Sequence, residues 1–277
     1  MTKIIKIIYE DENILAINKP SGILVHSDGK SQLNATEKNK EKTIVDWLIK
    51  YLEKKYPEIK NVGEQILRSP VFGKSDLSGT PGSPTYPKTT YPKMIRPGIV
   101  HRLDKETSGV LLIAKNQKAF NFLKKQFANS EIKKTYIAVI SGHPKNDQGI
   151  IDKPIGRSPK DFRRRLSGRG SIGTLREAVT EYKIIKKFFS KSQLNATGIE
   201  PFSLVEIFPK TGRMHQIRVH MKFINYPIAC DSLYNPNSPC PENFSRLGLH
   251  AKSIEFKNLG GKKIKIEAPA PKEFKNI

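Results

Sequence analysis

Cysteine, acidic residues and long apolar runs are all scarce in this chain. Cys230 and Cys240 are the two cysteines in 277 residues. Two are too few for a disulfide framework and point to a reducing compartment. Their spacing matches no zinc-ligand pair, which argues against a metal site built with His215 or His220. No stretch approaches the roughly 18 apolar residues that a bilayer crossing needs, so no membrane span is expected. The first twelve residues have neither a long apolar core nor a small-residue cleavage site. They read as a strand rather than a secretory signal, and a cytoplasmic protein is expected. Acids number 26 against 49 Lys+Arg, a net charge of +23. Such an excess repels itself unless an anionic partner faces it. Nucleic acid is the first candidate, ahead of an anionic membrane surface, for which no basic amphipathic segment has the required apolar face. Lysine is spread along the whole chain, whereas arginine is clustered.

Hydrophobic residues at 37% and charged residues at 27% suit a globular chain. The length allows one large domain or two small ones, and residues 1–277 are taken as one. Residues 3–9 and 14–17 read as strands, the second ended by Pro20 and Gly22. Thr43 caps a helix with Asp46 three residues on, and its apolar stripe is Ile44, Trp47, Leu48, Tyr51 and Leu52. Residues 69–98 are rich in Pro, Ser, Thr and Gly and read as a disordered insertion. Asn116 caps a second helix with Ala119, Phe120, Leu123 and Phe127 inward. Strands are expected at 135–140, 178–186, 203–208, 253–256 and 263–266. Met214, Ile217, Met221 and Ile224 mark an amphipathic helix ended by Asn225 and Pro227. Runs of strands with irregularly placed helices indicate an α+β fold. Lys-Ser-Gln-Leu-Asn-Ala-Thr occurs at 30–36 and again at 191–197, and nothing in the sequence accounts for the repeat.

Residues 99–116 hold the most informative string. Arg102 and Asp104 stand two apart in a polar stretch that closes at Gly109, ahead of the apolar run 110–114. This puts a carboxylate beside a cation at the lip of a buried strand. An ion pair holds a carboxylate charged, and a charged carboxylate can act as a nucleophile. The competing reading is a solvated turn with a surface ion pair.

His101-Arg102-Leu103-Asp104 with Thr107-Ser108-Gly109 resembles the signature of the RluA-type pseudouridine synthases. Four further stretches match the family in order: Asn18-Lys19-Pro20-Ser21-Gly22, Lys134-Thr135-Tyr136, the run from Lys210 to His220, and Leu249-His250-Ala251 with Glu267-Ala268-Pro269. The resemblance implies a single mixed, mainly antiparallel sheet with flanking helices and a central RNA-binding cleft. It implies isomerisation of uridine in rRNA or tRNA to pseudouridine, with RNA as partner, no cofactor, no metal and a monomeric enzyme. It makes Asp104 the catalytic residue, Arg218 its ion-pair partner and Tyr136 the aromatic against the flipped base. Arg102 would fill the space left in the RNA or hold a phosphate, and Ile217 would wall the base. His101 is given structure or RNA backbone contact, as are His215, His220 and His250. Many relatives carry a small RNA-binding domain ahead of the catalytic one. The chain begins too close to Asn18 for that domain, so grip on RNA is expected from the catalytic domain itself.

Lys153, Arg157, Lys160, Arg163, Arg164, Arg165 and Arg169 face one acid, Asp161, in the densest arginine cluster. RNA phosphate contact is the expectation, and a charged surface loop is the alternative. Two further functions compete with the isomerase: an N-glycosidic hydrolase using Asp104 and Glu106, and a non-catalytic RNA chaperone.

Overall fold

The computed structural model describes residues 4–26, 41–63, 65–66, 94–191, 198–237 and 239–277. Strands β1 (Lys6–Glu10) and β2 (Ile14–Lys19) form a hairpin whose turn is fixed by Asp11, which accepts the Asn13 and Ile14 N–H groups. Helix α1 (Ile44–Leu52) starts at Thr43. The Thr43 hydroxyl accepts from the Asp46 N–H, and the Asp46 carboxylate accepts from the Thr43 N–H. Ile44, Leu48 and Leu52 are buried as expected. Tyr51 leaves the stripe: it is exposed, stacks on Trp47 and donates its hydroxyl to Glu10 at 2.8 Å.

A 3-10 turn at Pro57–Asn61 leads to β3 (Gln65–Ile66), which pairs with β4 (Met94–Ile95). Residues 69–93 of the expected insertion lie outside the described residues. Its last residues depart from the expected disorder: the Gly98 N–H donates to Val62, the Gly98 carbonyl accepts from Ala114, and Ile99 bridges to Ile113. The heptapeptide repeat also lies outside the described residues, except for Lys191.

Strand β5 (Ser108–Ala114) is buried along its whole length, and α2 (Gln117–Ala128) follows, capped by Asn116 as expected. Next come β6 (Lys133–Ser141), β7 (Gln148–Asp152), β8 (Ile155–Arg157), β9 (Arg165–Ser167) and β10 (Ile172–Arg176). The last three make a small separate sheet in the order β10-β8-β9. Sequence reading saw only charged loop there. The strands are only three to five residues long, too short for alternation to betray them.

Strands β11 (Val179–Lys191) and β12 (Ile199–Pro209), helix α3 (Gln216–Phe223), strands β13 (Leu249–Lys257) and β14 (Lys263–Glu267), and the short helix α4 (Lys272–Lys275) complete the chain. The main sheet runs β1-β2-β5-β13-β6-β12-β11-β7, with β14 also on β13. Only the β5–β13 pair is parallel, so the sheet is mixed and mainly antiparallel, as the resemblance implied. Gly109 makes the parallel pairing possible. At φ 116° it lies so close to Ala251 that any side chain would strike the β13 backbone.

The core follows the pleat. Ala138 and Ile140 of β6 pack with Val205, Ile207, Ile217 and Met221 under α3. Ile137 and Val139 face the other way, against Phe202, Phe244 and Phe274. A third cluster joins β2 and β5 to α1 and α2. The centre of the sheet is therefore rigid on both faces, and the connections that enter it at β5, β6 and α3 inherit that rigidity.

Candidate active site

Asp104 lies in the connection entering β5, and the Asn18-to-Gly22 segment clamps that connection. The Lys19 side chain is fully buried, and its ammonium donates to the carbonyls of Pro20, Ile23 and Lys105 at 2.9, 2.8 and 3.0 Å. The Ser21 hydroxyl donates to the Glu106 carbonyl at 2.6 Å, and the Gly22 N–H donates to that of Lys105. On the other side, His101 Nε2 accepts the Leu112 N–H at 2.9 Å, and its ring stacks on Phe127. Burial, with the Lys134 charge acting in the same sense, pushes the His101 pKa down to about 3. A neutral ring that accepts a backbone N–H serves structure, the first of the two roles expected for it.

Arg218, in the first turn of α3, reaches Asp104: Nη1 is 3.5 Å from Asp104 Oδ2. Its main partner is another acid. Nε and Nη2 donate to the two carboxylate oxygens of Asp231 at 2.7 and 2.6 Å, a bidentate fork in a buried setting. The ion pair expected between Arg218 and Asp104 is therefore shared: Asp231 takes the fork, and Asp104 receives the remaining edge. Burial alone would lower the Arg218 pKa, but the Asp231 bonds and the two carboxylate charges raise it.

Asp231 also accepts the Leu233 and Tyr234 N–H groups at 3.0 and 2.9 Å, which ties it into its own turn. Tyr234 lies against the Arg218 guanidinium, 5.0 Å from the ring centre. Its hydroxyl accepts the Arg165 N–H at 2.8 Å and donates to His215 Nδ1 at 2.9 Å. His215 Nε2 then faces Asp104 at 3.8 Å. Burial lowers the His215 pKa in spite of the Asp104 charge.

Sequence reasoning missed Asp231 and Tyr234. The local signal was Asp-Ser-Leu-Tyr, a carboxylate followed by two N–H groups within reach. The turn also reverses the chain at Cys230 (φ 58°), which brings Cys230 and Cys240 to 5.0 Å between Cα atoms and joins them in a disulfide. That corrects the expectation of two reduced thiols. Ten residues of spacing carry no trace of the reversal.

His215 itself has φ 57° and ψ 19°, a left-handed residue at the start of α3. Gln216 holds that turn in place. Its Oε1 accepts from the Thr211 hydroxyl and the Arg213 N–H, and its Nε2 donates to the Val179 carbonyl and the Thr180 hydroxyl, all at 2.7 to 3.0 Å. Every polar atom of this buried amide is used. His220 extends the network: Nε2–H donates to the Lys153 carbonyl, and Nδ1 accepts from Thr180.

Some of these groups open onto a cavity of about 410 Å³, and the others brace them from behind. Asp104, Tyr136, Ile217 and Arg218 line it, with Arg102, His101 and His215. Burial, reinforced by the nearby Asp104 charge, raises the Tyr136 pKa, so the phenol stays protonated. Arg102 is exposed at the rim, with Nη1 3.4 Å from His26 Nε2. Arg163, Arg164 and Arg165 are outside the cavity wall. Arg163 and Arg164 pair with Asp161 at 2.9 and 3.6 Å, while the Arg165 guanidinium turns to the carbonyls of Phe162 and Arg164. They flank the site from the small sheet, which touches α3. Among the described residues no group of three His, Cys, Asp or Glu is arranged to hold a metal ion, and no helix is long and apolar enough to cross a membrane.

Sheet order and cavity define one class. The sequence model of the RNA pseudouridylate synthase family matches residues 13–223, and the chain belongs to that family of isomerases. Among curated relatives it is 34% identical over 275 residues to the uncharacterised RNA pseudouridine synthase YlyB of Bacillus subtilis, covering 98% of this chain and 71% of that protein. It is 36% identical over 253 residues to ribosomal large subunit pseudouridine synthase D of Borreliella burgdorferi, covering 91% of this chain and 61% of the relative. Synthase C of Rickettsia bellii is 32% identical over 272 residues, 98% of this chain and 70% of the relative. Among solved structures, human RNA pseudouridylate synthase domain containing 1 superposes with a TM-score of 0.64 at 21% identity, over 96% of this chain and 84% of that one. At that identity the likeness bears on the fold alone.

Proposed function

We propose that the chain converts uridine in structured RNA, ribosomal or transfer, to pseudouridine, with Asp104 as the catalytic carboxylate and no cofactor. The reaction breaks the C1′–N1 bond and joins C1′ to C5. C5 loses a proton and N1 ends with one, so atoms balance without any added reagent. The observation that carries the reading is Asp104 on the cavity wall with Arg218 Nη1 at 3.5 Å and Tyr136 beside it. The carboxylate meets C1′ or its proton, Arg218 fixes it, and Tyr136 and Ile217 flank the turning base. The base must leave its stack to reach this depth, at an expense of a few kcal/mol that is least in loops. Phosphate contacts from the basic surface offset it.

The large-subunit relatives make ribosomal RNA the first substrate to examine. A two-carboxylate hydrolase fits less well. Among the described residues that line the cavity Asp104 is the one carboxylate; Glu106 does not line it, and its charge acts on Arg246. The test is pseudouridine mapping of total rRNA and tRNA exposed to the protein. New pseudouridine at unchanged RNA mass is expected. Release of free uracil would indicate the hydrolase, and binding without either product the chaperone. Asp104→Asn should abolish isomerisation and keep RNA binding, and an active variant would remove Asp104 from its role.

A further inference from the structure

We infer that Lys134, with Arg213 beside it, forms an anion seat at the cavity rim that holds an RNA backbone phosphate next to the target nucleotide. This inference rests on the uridine-isomerising reading above.

Alternation along β6 puts Lys134 on the same side of the strand as Tyr136, and both line the cavity. Lys134 is half-buried, and its ammonium donates to the Thr211 carbonyl at 2.9 Å. Gly212 lies beside it: a Cβ there would stand 3.8 Å from the Lys134 nitrogen and meet nothing else within 4 Å. A larger residue would narrow the approach to the ammonium.

The charge around Lys134 is one-sided. Burial and the Arg213 charge lower its pKa to about 8. His101, facing it from the approach to β5, is neutral. Glu255 of β13 is turned to Lys133 at 3.5 Å. A half-buried ammonium beside a guanidinium, whose one hydrogen-bond partner among the described residues is a carbonyl, is unfavourable until an anion arrives.

Position chooses the anion. Lys134 stands two residues before Tyr136 on β6 and leans on the loop that carries Thr211 and Arg213, while Tyr136 shares the cavity wall with Asp104. A uridine with C1′ at Asp104 keeps its base against Tyr136 and Ile217 and extends its phosphates outward. Uracil is neutral and gains little from two cations, whereas a phosphodiester matches them.

The test measures binding of a uridine-containing single-stranded oligoribonucleotide by fluorescence anisotropy from 50 to 200 mM KCl. Lys134→Met should weaken binding about fivefold at 100 mM and reduce the log–log salt slope by about 0.7, the share of one phosphate. Lys134→Arg should keep the slope. Between pH 7 and 9.5 the wild type should lose that same increment, and Lys134→Arg should not. An unchanged slope in Lys134→Met overturns the seat, whether kcat falls (contact with the base) or the melting temperature falls (a structural lysine). Product mapping of the wild type in parallel separates the two claims. A wild type that makes pseudouridine with an unchanged Lys134→Met slope sinks only the seat, and one that makes none sinks the isomerase reading.

Discussion

Arg218 makes its bidentate pair with Asp231 and offers Asp104 the edge left over. Replacing Asp231 by Asn removes that charge and sets an amide against guanidinium donors. Arg218 should then swing wholly to Asp104 and blunt it. We expect kcat to fall about a hundredfold with KM little changed, a loss of roughly 3 kcal/mol at the barrier; single-turnover assays on the mapped RNA measure it. Lys19→Met leaves three carbonyls without their ammonium and should cost about 3 kcal/mol of stability by urea unfolding. At this scale Asp104, Tyr136 and Arg218 were singled out because they stand in strings that resemble a family, and the structure brings all three to one cavity wall. Asp231 was not: it is thirteen residues from its partner, and the turn that presents it leaves no periodic mark.

Elements with strong local signals were read well. The caps at Thr43 and Asn116 and the apolar runs of β2, β5 and β6 are where the sequence puts them. Strands β8, β9 and β10 escaped because runs of three to five residues are too short to show alternation, and β11 and β12 run past their expected ends on each other's hydrogen bonds.

The parallel junction of β5 and β13 carries a pH signature. Buried His250 accepts the Ser108 hydroxyl at 2.8 Å, and its pKa is lowered to about 4, chiefly by burial. The folded chain declines a proton that the unfolded chain binds below about pH 6.5. Stability from this group is therefore complete above 6.5 and is lost as pH falls toward 4. Between pH 7 and 4.5 this group's share of the loss should be about 2 to 3 kcal/mol, read from urea midpoints, and His250→Gln should reduce the dependence by that share and leave the share of buried His101.

Over the whole molecule, the net charge of +23 signalled an anionic partner before any fold was in view. It did not show that Asp161 neutralises part of the densest cluster by pairing with Arg163 and Arg164. Asp161→Asn should free both guanidinia and tighten RNA binding several-fold at low salt. Arg163→Ala with Arg164→Ala should weaken it and flatten the salt slope by about 1. Anisotropy titrations over 50 to 200 mM KCl decide both. The sheet was legible as a class from strand runs and motif order, while its strand order needed the long-range pairings that bring β13 between β5 and β6.

In the proposed reaction, whether Asp104 bonds to the sugar or takes its proton, its negative charge disappears midway through the turnover. An arginine that relied on it alone would be stranded as a naked cation inside the protein at that moment. With Asp231 as a standing counter-ion, the guanidinium would stay neutralised through every stage of that reaction, needing neither water nor an outside anion to balance it.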